Sequence, residues 1–283
     1  MAAETSIEWT DKTWNPVRGC QRVSPGCQHC YAERQAYRFS SPGQPYHGLT
    51  VLSGGAPRWT GRAVFVPETL VTPLRWRKPQ KVFVNSMSDL FHEDVTNEEI
   101  TAVFSVMAAA PQHTFQLLTK RPQRMQEWFE WLSVEYAKVN GFEFLPPWPL
   151  PNVWLGVSCE DQQRAEERIP LLLQCPAAVR FVSAEPLLGP VDLLYSVFNG
   201  ADSFSAMAGI NWVIVGSESG PGARPMKTEW AAALREQCRM AGVPCFIKQI
   251  LTEEGRRNGD RKGGDPKYWP PGVWPREFPH HHE

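Results

Sequence analysis

Short apolar runs, each closed by a polar cluster, recur along the chain: KVFVNSMSD (81–89), TFQLLTKRP (114–122), NVWLGVSCED (152–161), VRFVSAEP (179–186), NWVIVGSESG (211–220) and PCFIKQ (244–249). Their Val, Ile, Phe and Leu content and short length predict strands buried on both faces of a parallel sheet. Helix-like stretches lie between several of them. TNEEITAVFSVMAAA (96–110) opens on a Thr cap with a Glu three residues on, the pattern of a capping box. The segments 121–139, 160–175 and 227–242 follow the same logic, the last closing on Gly242 as a C-cap. SIEWTDKTWNPVRG near the N-terminus supplies a first strand, for about seven in all. Alternating strand and helix predicts a parallel α/β fold, read as a partial TIM-like (β/α) barrel with a cysteine-bearing loop after its first strand.

In such barrels chemistry sits at the carboxyl ends of the strands. Here those ends carry Asn85, Ser86, Ser88 and Asp89; Thr119, Lys120 and Arg121; Ser158 and Glu160; Ser183 and Glu185; Ser217, Glu218 and Ser219; Lys248 and Gln249. Polar closure of nearly every strand predicts one active-site rim. Residues 39–62 and 140–152 are Pro/Gly-rich and predict loop insertions, and 196–210 predicts a small-residue connection. The tail from 252 is basic, then Trp/Pro-rich and irregular. No composition shift marks a linker, so 1–283 is read as one domain.

Charge is balanced, with 29 Lys and Arg against 30 Asp and Glu. No global pull toward nucleic acid or membrane follows, only what local patches exert. The N-terminus lacks a basic segment followed by an apolar one, and no run reaches the length of a membrane span. Seven cysteines without an export signal predict reduced thiols and a cytoplasmic location. The terminal HHHE, able to chelate metal by itself, is left out of the functional reading.

Cys20, Cys27 and Cys30 crowd into eleven residues, RGCQRVSPGCQHCYAE. Three thiolates on a Gly/Pro-rich loop can converge on one metal centre. A structural zinc site closes with four protein ligands, here with His29 or a distant residue as the fourth. A simple electron-transfer [4Fe–4S] cluster takes four cysteines, whereas three leave one iron open to a small molecule. Cys159, Cys175, Cys238 and Cys245 lack ligand spacing and read as core. Glu185 and Glu218 end very apolar strands, where a carboxylate is costly unless paired or functional. Lys120, Arg121 and Lys248 suit either anion binding or salt bridges. His47, His92 and His113 show no metal spacing, and Trp128 with Trp131 reads as helix packing.

Cys27-Gln28-His29-Cys30 matches the C-x2-C half of the radical S-adenosylmethionine signature, with a planar ring before the last cysteine. The chain resembles that superfamily, with C-x6-C-x2-C in place of the usual C-x3-C-x2-C. More closely, it resembles a phage-associated group carrying WNP..GC...SPGC..CYAE, through SMSDLFHE, LLTKRP, VWLGVS, AEPLLGP, GSESGPGARPM and FIKQ. The resemblance implies a [4Fe–4S] cluster on Cys20, Cys27 and Cys30, whose open iron binds S-adenosylmethionine. One electron from an external donor then gives methionine and a 5′-deoxyadenosyl radical, which abstracts hydrogen from a substrate. It also implies cofactor contacts from His29, Ser86, Asp89, Glu185, Ser217, Glu218 and Arg224, with the glycines of GSESGPGAR allowing close approach to adenine or ribose. Lys120, Arg121, Glu160 and Lys248 would face the substrate; no individual residue is assigned a catalytic role. Phage association and the basic stretches Arg75, Arg77, Lys78 and Arg256, Arg257, Arg261, Lys262 point to nucleic acid or a nucleotide, for modification or repair. The alternative is a non-catalytic iron–sulfur or zinc-binding interaction protein.

Overall fold

The computed structural model describes residues 5–136, 138, 148–199, 202–220, 222–260 and 262–279. All six apolar runs form strands inside their expected windows. These are β6 (Lys81–Val84), β7 (Thr114–Thr119), β8 (Val153–Ser158), β9 (Val179–Ala184), β12 (Trp212–Gly216) and β13 (Cys245–Gln249). The N-terminal segment adds β1 (Lys12–Trp14). The seven belong to one parallel sheet in the order β1-β6-β7-β8-β9-β12-β13. The molecule is therefore α/β with parallel strands, as the apolar runs predict.

Two compact units divide the chain: Met1–Leu155 with Gln174–Ala178, and Gly156–Leu173 with Val179–Glu283. In the first, β1 pairs with β6 at Lys12↔Val82 through Trp14↔Val84, and β6 pairs with β7 at Lys81↔Thr114 through Val84↔Leu117. The Asn97–Ala108 helix starts where its cap signal puts it. Thr96 Oγ1 accepts from the Glu99 amide while the Glu99 side chain accepts from the Thr96 amide. The Pro122–Trp131 helix packs fully buried Trp128 on Phe104, ring centroids 4.3 Å apart. Leu132–Tyr136 then widens into a π-helical turn. In the second unit, β12 pairs in parallel with β9 and β13, and the Thr228–Ala241 helix ends on Gly242 at φ 67°. Trp212 packs against Phe181, Phe246 and Phe278 at 5.4–6.1 Å.

Two stretches expected to be irregular carry strands. Residues 39–62 contain an antiparallel hairpin, β3 (Thr50–Ser53) with β4 (Ala56–Trp59). Its turn is Gly54-Gly55, both at positive φ, the backbone a two-residue type I′ hairpin requires. The signal was in the sequence, but exposed strands and Pro57 masked it. Beyond the hairpin, β5 (Ala63–Phe65) pairs with β2 (Val17–Gly19). Residues 196–210 hold β10 (Ser196–Asn199) and β11 (Asp202–Ser205). The tail is ordered by its contacts: Ile247 N–H donates to Pro275 O (2.8 Å) and Glu277 N–H to Cys245 O (3.0 Å), which covers the open edge of β13. Residues 140–147 of the second expected insertion, and the terminal HHHE, lie outside the described residues. Among the described residues no helix is long and apolar enough to cross a membrane.

Gly156 lies in β8 where a Cβ would meet the Phe181 ring at 2.5 Å. Gly156→Ala is expected to cost about 1–3 kcal/mol by overpacking, against about 1 kcal/mol for loss of the cap in Thr96→Ala. Urea unfolding of the two variants beside the parent chain measures both.

Candidate functional site

The cysteine loop is placed by its first residue's neighbour. Gly19 takes φ +86°, and a Cβ there would lie 2.2 Å from Arg62 O, so only glycine fits. From Cys20 the chain runs out to a 3₁₀ turn at Pro25–Cys27, where Cys27 N–H donates to Ser24 O (2.9 Å), and returns with Cys30 N–H on Cys27 O (3.3 Å). Cys30 is the N-cap of the Tyr31–Tyr37 helix. All three cysteines are half-buried and free of disulfides, and His29 is half-buried between Cys27 and Cys30.

Glu33, only 1% exposed on that helix, accepts from Arg22 Nε (2.8 Å) and Nη2 (2.5 Å) and from the Trp59 amide (3.0 Å), with Arg58 Nη1 at 3.6 Å. Arg22 Nη2 also donates to Gln28 O (2.8 Å). The 85–89 segment is joined to the same loop. Tyr31 OH donates to Ser86 O (2.5 Å), and Ser88 Oγ donates to Val17 O (2.8 Å).

Asp89 is the centre of this group. Its buried carboxylate accepts from the Phe91 amide (3.0 Å), Thr119 Oγ1 (2.8 and 3.0 Å), the Lys120 amide (3.1 Å) and Arg121 Nη1 (3.4 Å). Arg121 Nη1 also lies 3.9 Å from Cys20 Sγ, and Nη2 donates to Gln21 O (3.2 Å). One guanidinium thus links the end of β7 to the start of the cysteine loop.

Burial, reinforced by the Asp89 charge, pushes the Cys20 thiol up to about 12 against the pull of Arg121. Burial also raises Cys30, opposed by the Ala32 and Glu33 amides and the Lys120 charge. Negative charge on Cys30 raises Cys20, and on Cys27 raises Cys30, so the thiolates repel one another along the loop. His92 is fully buried. Its Nδ1 accepts from the Asp94 amide (3.1 Å), and burial and then Arg121 lower its pKa, so the ring is neutral.

A second group forms in the other unit. The Glu185 carboxylate accepts from Lys248 Nζ. Glu218 takes Arg224 through Nε (3.0 Å), Nη2 (2.5 Å) and its amide (2.8 Å). Glu160, fully buried, accepts from Arg168 Nη1 (3.0 Å), which also reaches Ser158 O (2.7 Å). Ser217 Oγ accepts from the Leu251 amide (2.9 Å). The costly strand-end carboxylates are therefore all paired. Cys159, Cys175, Cys238 and Cys245 are buried in the core as expected. His47 is exposed, and buried His113 makes a 3.2 Å hydrogen bond to Pro73 O.

Sequence reasoning missed Arg22, Glu33, Tyr31 and Arg168. A signal existed for Glu33 in CYAE, one helical turn past Cys30, and for Arg168, two turns past Glu160. Among the described residues no group of three or more His, Cys, Asp or Glu side chains is arranged to hold a metal ion.

A family model described as "Protein of unknown function (DUF5131)" matches residues 4–265, and the chain belongs to that family. No curated protein and no solved structure matches it.

A thiol raised in the folded state contributes stability below its ordinary value of 9.0, and that contribution is lost as pH climbs toward 12. In metal-free protein, alkylation of Cys20 by iodoacetamide at pH 9 should therefore lag well behind that of the unfolded chain. Asp89→Asn should speed it and Arg121→Gln should slow it, each by up to roughly tenfold, the equivalent of one pK unit. Peptide mapping of the alkylated sites reads the result.

Proposed function

We propose that Cys20, Cys27 and Cys30 hold a [4Fe–4S] cluster in a radical S-adenosylmethionine enzyme built on a partial TIM-like barrel. Its substrate is nucleic acid or a nucleotide, and an external donor supplies the electron. One observation carries the reading: three free thiols on a single eleven-residue loop, close enough that ionising one opposes the next, with Arg121 and Lys120 supplying positive charge. The donor set fits the group. It offers three soft thiols on one loop, and burial keeps Cys20 and Cys30 protonated until a cation compensates them. When bound, the cluster supplies reductive cleavage of S-adenosylmethionine and hence hydrogen abstraction.

The chain's own residues orient and compensate. Arg121, fixed by Asp89, places a cation beside Cys20. Ser86 and Asp89 adjoin the cysteine loop and, with His29, are the cofactor contacts proposed in the first unit. Carboxylate and guanidinium are the partners a zwitterionic amino-acid moiety requires. Lys120, Arg121, Glu160 and Lys248 are proposed toward substrate. Arg75, Arg77 and Lys78 stand exposed together and supply a local basic patch for phosphate.

Anaerobic reconstitution with iron and sulfide, reduction with dithionite and EPR with and without S-adenosylmethionine test the proposal. A [4Fe–4S]⁺ signal that shifts on addition is expected, with 5′-deoxyadenosine formed, and both lost in Cys27→Ala. Stoichiometric zinc with no cluster overturns the reading. A salt-dependent shift on DNA or RNA is expected for a nucleic-acid substrate.

A further inference from the structure

Glu33 is a fully enclosed carboxylate on the Tyr31–Tyr37 helix, whose N-cap is Cys30. A buried carboxylate is unfavourable unless its oxygens are matched. Here they are matched by groups from two separate pieces of chain. Arg22 lies between Cys20 and Cys27 and donates twice, and the Trp59 amide donates from β4. Arg58, also on β4, stands at 3.6 Å. The Arg22 guanidinium does a second thing. Its Nη2 also donates to the carbonyl of Gln28, which lies between Cys27 and Cys30. One side chain therefore ties the outgoing half of the loop to the returning half and to the helix that follows.

We infer that Arg22 and Glu33 form a positioning clamp that limits how far Cys20, Cys27 and Cys30 spread apart on their loop. The planar fork is what permits it: two donors meet the carboxylate while one also reaches the carbonyl, a geometry an ammonium does not reproduce. The hairpin inserted in residues 39–62 acquires a role by the same contacts, because its Trp59 amide and Arg58 hold Glu33 together with Arg22. Loop segments stabilised by few apolar contacts open locally at low cost, so a polar tie of this kind sets how far the thiols spread. The inference extends the cluster reading but is tested apart from it, on metal-free protein and with a simple metal.

Arg22→Gln and Glu33→Gln are compared with the parent chain, with Arg239→Gln, which breaks an exposed surface ion pair, as a control. Thermal melting reports folding. Alkylation by iodoacetamide, mapped by peptide, reports each cysteine, with core Cys238 as internal reference. Cobalt(II) titration, followed by thiolate-to-metal absorption, reports the metal-free loop, and iron–sulfur content follows after reconstitution. Expected are faster alkylation at Cys27 and Cys30 relative to Cys238 and cobalt binding weakened roughly 10–100-fold, the usual effect of losing an outer partner. Arg22→Lys should restore only part of the loss. Should Glu33→Gln fail to fold, Arg22→Gln decides, since Arg22 is 30% exposed at its side chain. Parental alkylation and cobalt affinity in a folded Arg22→Gln chain overturn the clamp, even if Cys27→Ala loses the cluster. Altered alkylation and cobalt affinity in a chain that takes up no iron–sulfur cluster would uphold the clamp while the cluster reading falls.

Discussion

The carboxylate of Asp89 is the group on which the cysteine region depends. It is buried just past the end of β6 and gathers an amide from its own turn, a hydroxyl and an amide from the end of β7, and the guanidinium of Arg121. A carboxylate that accepts from several donors at once is held in place, and it holds them in turn. Through Arg121 the constraint passes to Cys20 and to the carbonyl of Gln21, so the cysteine loop starts from a fixed point. Gly19 makes that start sterically feasible, because Arg62 O occupies the space a side chain would need.

The same electrostatic logic recurs on the Tyr31–Tyr37 helix and at other strand ends. Glu33, Glu160, Glu185 and Glu218 are carboxylates drawn out of water, and each meets an arginine or lysine. Removing one member of such a pair is costly, because the remaining charge is left buried without a counter-charge. These pairs fix polar side chains rigidly at the carboxyl ends of β8, β9 and β12, where a parallel α/β fold carries its chemistry. The thiols follow the opposite rule. Burial and mutual repulsion disfavour their ionisation, so Cys20 and Cys30 stay protonated at neutral pH.

Much of the fold was legible in the linear order of residues. A strand covered on both faces needs apolar side chains in both directions, which leaves an unbroken run such as VWLGVS or WVIVG; those runs became β8 and β12. Thr96 opened one helix through its capping hydrogen bonds, and Gly242 closed another in the left-handed conformation. The small hairpins were harder to see, since β3 is largely exposed and β4 only half-buried, too little to leave an alternating pattern. In the site, Cys20, Cys27 and Cys30 were visible because their spacing is local. Arg121 was visible as a strand-end cation but not as the partner of Cys20, 101 residues away.

By itself, then, the sequence determined what short-range physics controls: strands, caps, the glycine turn and the cluster of thiols on one loop. Tertiary structure decided the pairings. Lys248 meets Glu185 across 63 residues, and Glu33 meets Arg22 and Trp59 through a loop and a hairpin with no periodicity to betray them. Charge pairing in a protein interior is governed by distance and desolvation in three dimensions, and residue spacing along the chain carries neither.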